Sequence, residues 1–255
     1  MFKALLFSIA AALLGTACET AVGTGRSQFI VMSETQEQQI GDQAYKETLR
    51  KSRLSARADW QAQLQRVGRR IAAAANKPEY QWEFHVIQGK EINAFALPGG
   101  KVAFWEGIMP IAQDDHGVAV IMGHEVAHAL ARHGAERASQ QMGAQALGQL
   151  LALGVGQVSP GLEEQFMQLY GLGATVGVLL PWGRTQESEA DRIGLNLMAK
   201  AGYDPAAAIA FWERMSKASG GGKPPEFLST HPSDETRMRQ IREWLPEARA
   251  NFRAQ

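Results

Sequence analysis

The chain has 255 residues, 45% of them hydrophobic, with 26 basic and 26 acidic side chains and a formal net charge of +0. That length supports one substantial core or at most two small domains, and the balanced charge, with no basic block, excludes the electrostatic footprint of a nucleic-acid binder. The single cysteine, Cys18, rules out an intrachain disulfide framework and a cysteine-built zinc cage, so histidines and carboxylates are the remaining metal-ligand candidates.

Met1-Phe2-Lys3 is a short basic start, and Ala4 to Leu14 is an apolar run too short to span a bilayer as a stable helix. Small residues then lead through Gly15-Thr16-Ala17 into Cys18. This resembles a bacterial lipoprotein signal, in which the cysteine is lipidated and becomes the new N-terminus, although Gly15 stands where such signals usually carry Leu. An ordinary secretory signal followed by a free cysteine is the other reading. Residues 1–17 are expected as a signal peptide, 18–32 as a tether of Thr, Gly and Ser, and 33–255 as the folded domain. With Cys18 lipidated and Glu19 rather than Asp after it, the resemblance implies a lipid-anchored protein of the cell envelope. It would face the periplasm, held at the outer membrane rather than the cytoplasmic one.

Ser33 with Thr35, Gln36 and Glu37 opens a helix. A second helix is predicted over Asp59–Asn76, where Leu64, Val67 and Ile71 recur at helical spacing, and Lys77-Pro78 ends it. The period then changes to two. Trp82, Phe84 and Val86 alternate with Glu83, His85 and Ile87, Ile92–Leu97 is a second strand, Pro98-Gly99-Gly100 a turn, and Lys101–Trp105 a third strand. A small antiparallel sheet is expected. From Asp114 or Asp115 a long helix is predicted to run through His133. Met142 to Pro181 carries only Glu163 and Glu164 as formal charges and is interrupted at Ser159-Pro160-Gly161. It reads either as a buried helical hairpin or as a surface that touches membrane or unfolded substrate. Further helices are predicted near Gln186–Ala201, Pro205–Ser216 and Ser233–Ala250, with Gly220 to Pro225 as a flexible connector.

The string His124-Glu125-Val126-Ala127-His128 carries the chemistry. Two histidines four apart on a helix project from one face, so both imidazoles can reach one zinc ion. Glu125 is offset by about 100° in direction. It is too far round to be a ligand but close enough to take a proton from water that zinc acidifies.

Catalytic zinc takes three protein ligands and keeps a fourth position open. His133 sits five after His128, and Ala131 and Gly134 occupy the places where a metzincin needs Gly and His. His133 is therefore expected as a helix-end residue, near the negative end of the helix dipole. In Glu187-Ser188-Glu189-Ala190-Asp191, Glu187 and Asp191 share a helix face. One carboxylate can bind zinc while the other accepts a hydrogen bond from the free ring nitrogen of a zinc histidine. Glu189 points elsewhere and reads as a surface or buttressing residue.

Four stretches together resemble the zinc peptidases related to HtpX, the CaaX prenyl protease, BepA and LoiP. They are Asn93 to Gly100, His124 through Gly134 to Ser139, Glu187 through Asp191 to Gly194, and Thr230-His231-Pro232-Ser233 with Arg237. The resemblance implies an α+β, mainly helical, zincin-like domain of gluzincin type, with Glu187 as the third ligand of one Zn2+ per chain. It implies that the strand at Asn93, Ala94 and Phe95 lies along the cleft and pairs with extended substrate backbone. It also implies roles near the metal for His231 and Arg237. His231 would stabilise the oxyanion or occupy the fourth zinc position in a closed state, and Arg237 would pair with a site carboxylate.

The function implied is a zinc endopeptidase of the bacterial cell envelope acting on unfolded or misassembled polypeptides, with the substrate class resting on the resemblance. The alternative is a non-proteolytic assembly lipoprotein that keeps zinc as a staple, closed by His231 as fourth ligand.

Overall fold

A computed structural model of the chain describes residues 18–158, 180–218, 225–231 and 235–253. The signal-like segment 1–17, Ser159-Pro160-Gly161 with the rest of 159–179, most of the connector (219–224), and Pro232 and Ser233 lie outside the described residues. The chain divides into two units, Glu34–Ala131 with Glu187–Gln255, and Met1–Ser33 with Arg132–Gln186.

The larger unit begins with helices α1 (Glu34–Lys51) and α2 (Ala58–Ala75). Leu64, Val67 and Ile71 form the buried stripe of α2 that the spacing predicts, and Asn76 ends the helix in the left-handed conformation at φ 51°. Strands β3 (Glu83–Ile87), β4 (Ala94–Leu97) and β5 (Lys101–Trp105) follow. Beyond them come a 3-10 turn at Glu106–Ile108, the short α3 (Met109–Ala112) and α4 (Asp115–Leu130). After α5 (His133–Val158), which belongs to the other unit, come α6 (Leu180–Lys200), α7 (Ala207–Ala218), α8 (Glu226–Thr230) and α9 (Glu235–Ala250). The domain is mainly helical with the small sheet expected. The sheet is mixed in detail: β5 is central, antiparallel to β4 and parallel to β3. Gly99 and Gly100, at φ 83° and 85°, make the β4–β5 turn, a conformation that glycine adopts without steric cost.

Helix α4 is the centre of the core. Asp114 caps it by accepting from the Gly117 amide at 2.9 Å, and Asp115 in its first turn accepts from Nε and Nη2 of Arg66 in α2, each at 2.7 Å. Every residue from Gly117 to Leu130 is buried, the pattern of a helix enclosed on all sides. It packs against α2, α3, β4 and α7. Its end differs from expectation. It stops at Leu130, Arg132 turns to φ 56°, and a new helix starts at His133. A non-glycine residue in the left-handed region breaks the helix as a glycine would.

The smaller unit corrects two expectations. The tether is not bare chain: β1 (Cys18–Thr20) pairs antiparallel with β2 (Ser27–Phe29), and Ala21, Gln28 and Ile30 are buried. His133 does not sit at the negative end of the zinc-motif helix either: that helix stops at Leu130, and His133 opens α5 and is fully buried. The described part of the low-charge stretch is helical, with Met142, Leu147, Leu150 and Leu153 exposed; most of the second half of the expected hairpin lies outside the described residues. Among the described residues no helix is long and apolar enough to cross a membrane.

Candidate metal centre

Apart from Cys18, the site residues predicted from sequence fall in the larger unit. Helix α4 carries His124, Glu125 and His128 in its buried middle, α6 carries Glu187 and Asp191 on one face, His231 follows α8, and Arg237 lies in α9. Helix periodicity does the local work, because residues four apart point the same way.

Ligand atoms of His124, His128, Glu187 and His231 all lie within 4.8 Å of one another. His124 Nε2 is 3.1 Å from His128 Nε2 and 3.1 Å from His231 Nδ1. Glu187 places Oε1 3.3 Å from His128 Nε2, and Oε2 3.3 Å from His124 Nε2 and 2.9 Å from His231 Nδ1. Zinc bonds of about 2.0–2.1 Å in a tetrahedron require ligand-to-ligand edges of about 3.3–3.4 Å. The contacts of His124 and Glu187, at 2.9–3.3 Å, come within about half an ångström of such edges, and three imidazoles with one carboxylate are the donor types zinc selects. The residues present fit one Zn2+.

Behind the cage, Asp191 Oδ1 lies 2.9 Å from His124 Nδ1. Arg237 donates to both Asp191 oxygens, at 2.6 and 2.7 Å, and to the His231 carbonyl at 3.2 Å. With Asp191 already serving Arg237, a neutral His124 carries its ring proton on Nδ1, donated to Asp191, and would turn the lone pair of Nε2 toward a metal in the cage. Trp212 from α7 supports this arrangement from below, with the Arg237 guanidinium 3.6 Å from its ring centre. Sequence periodicity offers no sign of this, since Trp212 looks like any core aromatic. Phe227 is a second such residue: its amide donates to Ile92 O at 3.0 Å, its ring lies 4.8 Å from that of His231, and so the His231 segment is tied to the chain just before β4.

Glu125 is buried and its Oε1 accepts no hydrogen bond, although His231 Nε2 is 3.4 Å away. Burial pushes its carboxyl above the ordinary range, with the nearby His231 and His124 opposing. Burial works against a charged His124, but hydrogen bonds to Asp191 and Glu187 outweigh it and hold the imidazole at about 9. Burial likewise raises Glu187, yet His124, His128 and His231 hold it far below the carboxylate range. Asp191 is kept ionised against its burial by Arg237 and His124. A site whose groups are perturbed this strongly is a site built around charge.

Of the strand residues, Asn93 accepts from the Trp105 amide at 3.0 Å through its carbonyl, and from the Ala94 amide at 2.9 Å through its side chain. Ala94 is buried against the main core. Phe95 turns to the other face, edge-on to Tyr45 and Trp105 at 6.2 and 5.6 Å. Among the described residues β4 is an edge strand, since β5 pairs with only one side of it. Glu189, read as a surface or buttressing residue, is buried, and Cys18 is the first residue of β1.

The model of peptidase family M48 matches residues 58–245. The chain is 40% identical over 232 residues to mitochondrial metalloendopeptidase OMA1 of Schizosaccharomyces pombe, covering 88% of this chain and 66% of that protein. It is 33% identical over 268 residues to mitochondrial metalloendopeptidase OMA1 of Saccharomyces cerevisiae, covering 97% and 74%. To the beta-barrel assembly-enhancing protease of Escherichia coli it is 28% identical over 247 residues, covering 95% and 50%. The chain thus spans about two thirds of the first relative and half of the last. These relatives correct the expected location. A periplasm-facing lipoprotein of the outer membrane does not accord with relatives of 33–40% identity that are mitochondrial. A short basic and apolar N-terminus is a degenerate signal that does not specify a compartment by itself.

Proposed function

We propose, from the premise that the chain belongs to peptidase family M48 and is a zinc metalloendopeptidase, that it hydrolyses exposed, extended segments of unfolded or misassembled polypeptides. His124, His128 and Glu187 hold the zinc ion, which acidifies water and polarises the scissile carbonyl when bound. Glu125 is the general base, and its burial raises its basicity toward what proton transfer near neutral pH requires. Asp191 and Arg237 fix the tautomer and angle of His124. The open edge of β4, from Asn93 through Phe95, offers main-chain hydrogen bonds to substrate, which suits many sequences because it reads backbone rather than side chains.

His231 is assigned to a closed state. Its Nδ1 is 2.9 Å from Glu187 and its Nε2 3.4 Å from Glu125, so in this position it fills the space between ligand and base that water and substrate need. Cleavage requires it to withdraw, and once withdrawn it is placed to donate to the oxyanion.

The observation that carries the reading is the buried Glu125 carboxylate, its Oε1 3.4 Å from His231 Nε2, beside convergent metal donors. A zinc staple in a non-proteolytic assembly factor has no use for a carboxylate buried beside the metal donors, where burial disfavours its charged form. The test is Glu125→Gln, assayed for bound zinc and for cleavage of casein. Zinc content at the wild-type level with cleavage reduced at least a hundredfold supports the assignment; cleavage at the wild-type rate overturns it.

A further inference from the structure

We infer that Gly123 and Gly194 are positioning residues, whose backbone contact sets the separation of α4 and α6 and thereby the affinity of the metal cage. The inference rests on the ligand assignment proposed above. Both glycines lie inside helices, where backbone conformation does not call for glycine and where its presence weakens the helix relative to alanine. What calls for it is space. A Cβ built on Gly194 would lie 2.8 Å from the Gly123 carbonyl carbon and 2.9 Å from the His124 amide nitrogen. A Cβ on Gly123 would lie 2.8 Å from the Gly194 carbonyl oxygen. The obstructing atoms are main chain on both sides, so no side-chain rotation relieves them.

The contact sits beside the ligands. Gly123 directly precedes His124, and Gly194 is one helical turn after Asp191, so the touching backbones and the 2.9 Å His124–Asp191 contact form one continuous seam. Ordinary carbon contacts need about 3.5–4.0 Å, so one added methyl forces the helices apart by more than half an ångström. A zinc site tolerates deviations of only about 0.2 Å in its ligand distances. The displacement exceeds the tolerance, and it acts on the one geometric parameter that separates His124 and His128 on α4 from Glu187 on α6.

The test measures zinc affinity of the apo full-length chain by competition with a chelator of known affinity, with melting temperature recorded on the same samples. Gly194→Ala and Gly123→Ala should each weaken zinc binding at least tenfold while still folding. Gly68→Ala is the control. Its Cβ meets the Phe84 ring at 2.5 Å, within the same core but away from the ligands, so it should lower the melting temperature and leave zinc affinity within twofold of wild type. Affinity within twofold of wild type in a folded Gly194→Ala chain overturns the inference. Should that variant not fold, Gly123→Ala decides by the same criterion. If neither folds, or if Gly68→Ala loses affinity equally, the contact serves the fold at large and the inference is likewise overturned. Failure of the underlying reading is a separate outcome, seen as wild-type zinc affinity that does not change on Glu187→Ala.

Discussion

Asp191 on α6 meets His124 on α4 at 2.9 Å, carboxylate oxygen to imidazole Nδ1, while Arg237 holds both oxygens of the same carboxylate. Two links run through one aspartate: it fixes which nitrogen of His124 carries the proton, and it neutralises a buried arginine. Asp191→Asn keeps the shape and removes the charge. Loss of a group that orients a zinc histidine costs about 10–100-fold in metal affinity, and that is the expected result in chelator competition. Unchanged affinity would reduce Asp191 to a packing role.

His231 tests the closed state. With its ring lodged between Glu187 and Glu125, substrate carbonyl and imidazole compete for one place. His231→Ala is therefore expected to raise the basal rate of casein cleavage several-fold while leaving zinc bound through His124, His128 and Glu187. A fall in kcat of about 100-fold, the magnitude associated with losing an oxyanion donor, would mean that stabilisation of the intermediate outweighs the blockade.

Much of this site is written in local pattern. His124 and His128 four apart, Glu187 and Asp191 four apart, and the stripe Leu64, Val67 and Ile71 all follow from helical periodicity, and each falls on the helix predicted for it. The strand over 83–87 follows from alternation in the same way, and the strand over 101–105 from its place after the turn at Pro98-Gly99-Gly100. What pattern does not carry is pairing. Nothing in the alternation says that β3 lies parallel to β5, because that is fixed by what the chain does between them. The helix break at Arg132 escaped because arginine is an ordinary helix former, and its left-handed φ is set by tertiary contacts. Trp212 and Phe227 escaped for a related reason: their apolar bodies read as core, and only the fold reveals which charged or catalytic neighbour each one supports.

Phe95 separates backbone recognition from side-chain recognition at the cleft strand. Its ring packs edge-on to Tyr45 and Trp105, on the face of β4 away from the main core. Phe95→Leu should lower the melting temperature by a few degrees, consistent with a loss of about 1 kcal/mol, and leave the set of cleaved bonds in casein unchanged by mass spectrometry. A shifted cleavage pattern would place the ring in contact with substrate.

Glu136 makes the smaller unit sensitive to acid. Its side chain is wholly buried on α5 and accepts from Arg26 at 2.6 and 2.7 Å, from Gln186 at 2.8 Å and from Gln28 at 3.1 Å. Burial alone would raise its carboxyl, but these donors, Arg26 first, hold it below the ordinary carboxylate value. A depressed folded value means that the unfolded chain takes up the proton first as pH falls. The stabilisation is therefore complete above the unfolded value, about 4.3, and is lost as pH drops through the lower folded value. Glu136→Gln should cost about 1–3 kcal/mol at neutral pH, the loss of a charged partner for Arg26 with the amide filling the same space. The melting temperatures of the two proteins, followed from pH 7 to pH 3, should differ by a constant amount down to the carboxylate range and then converge. A gap that stays constant across the whole range would show that Glu136 contributes through packing and neutral hydrogen bonds, with no part played by its charge.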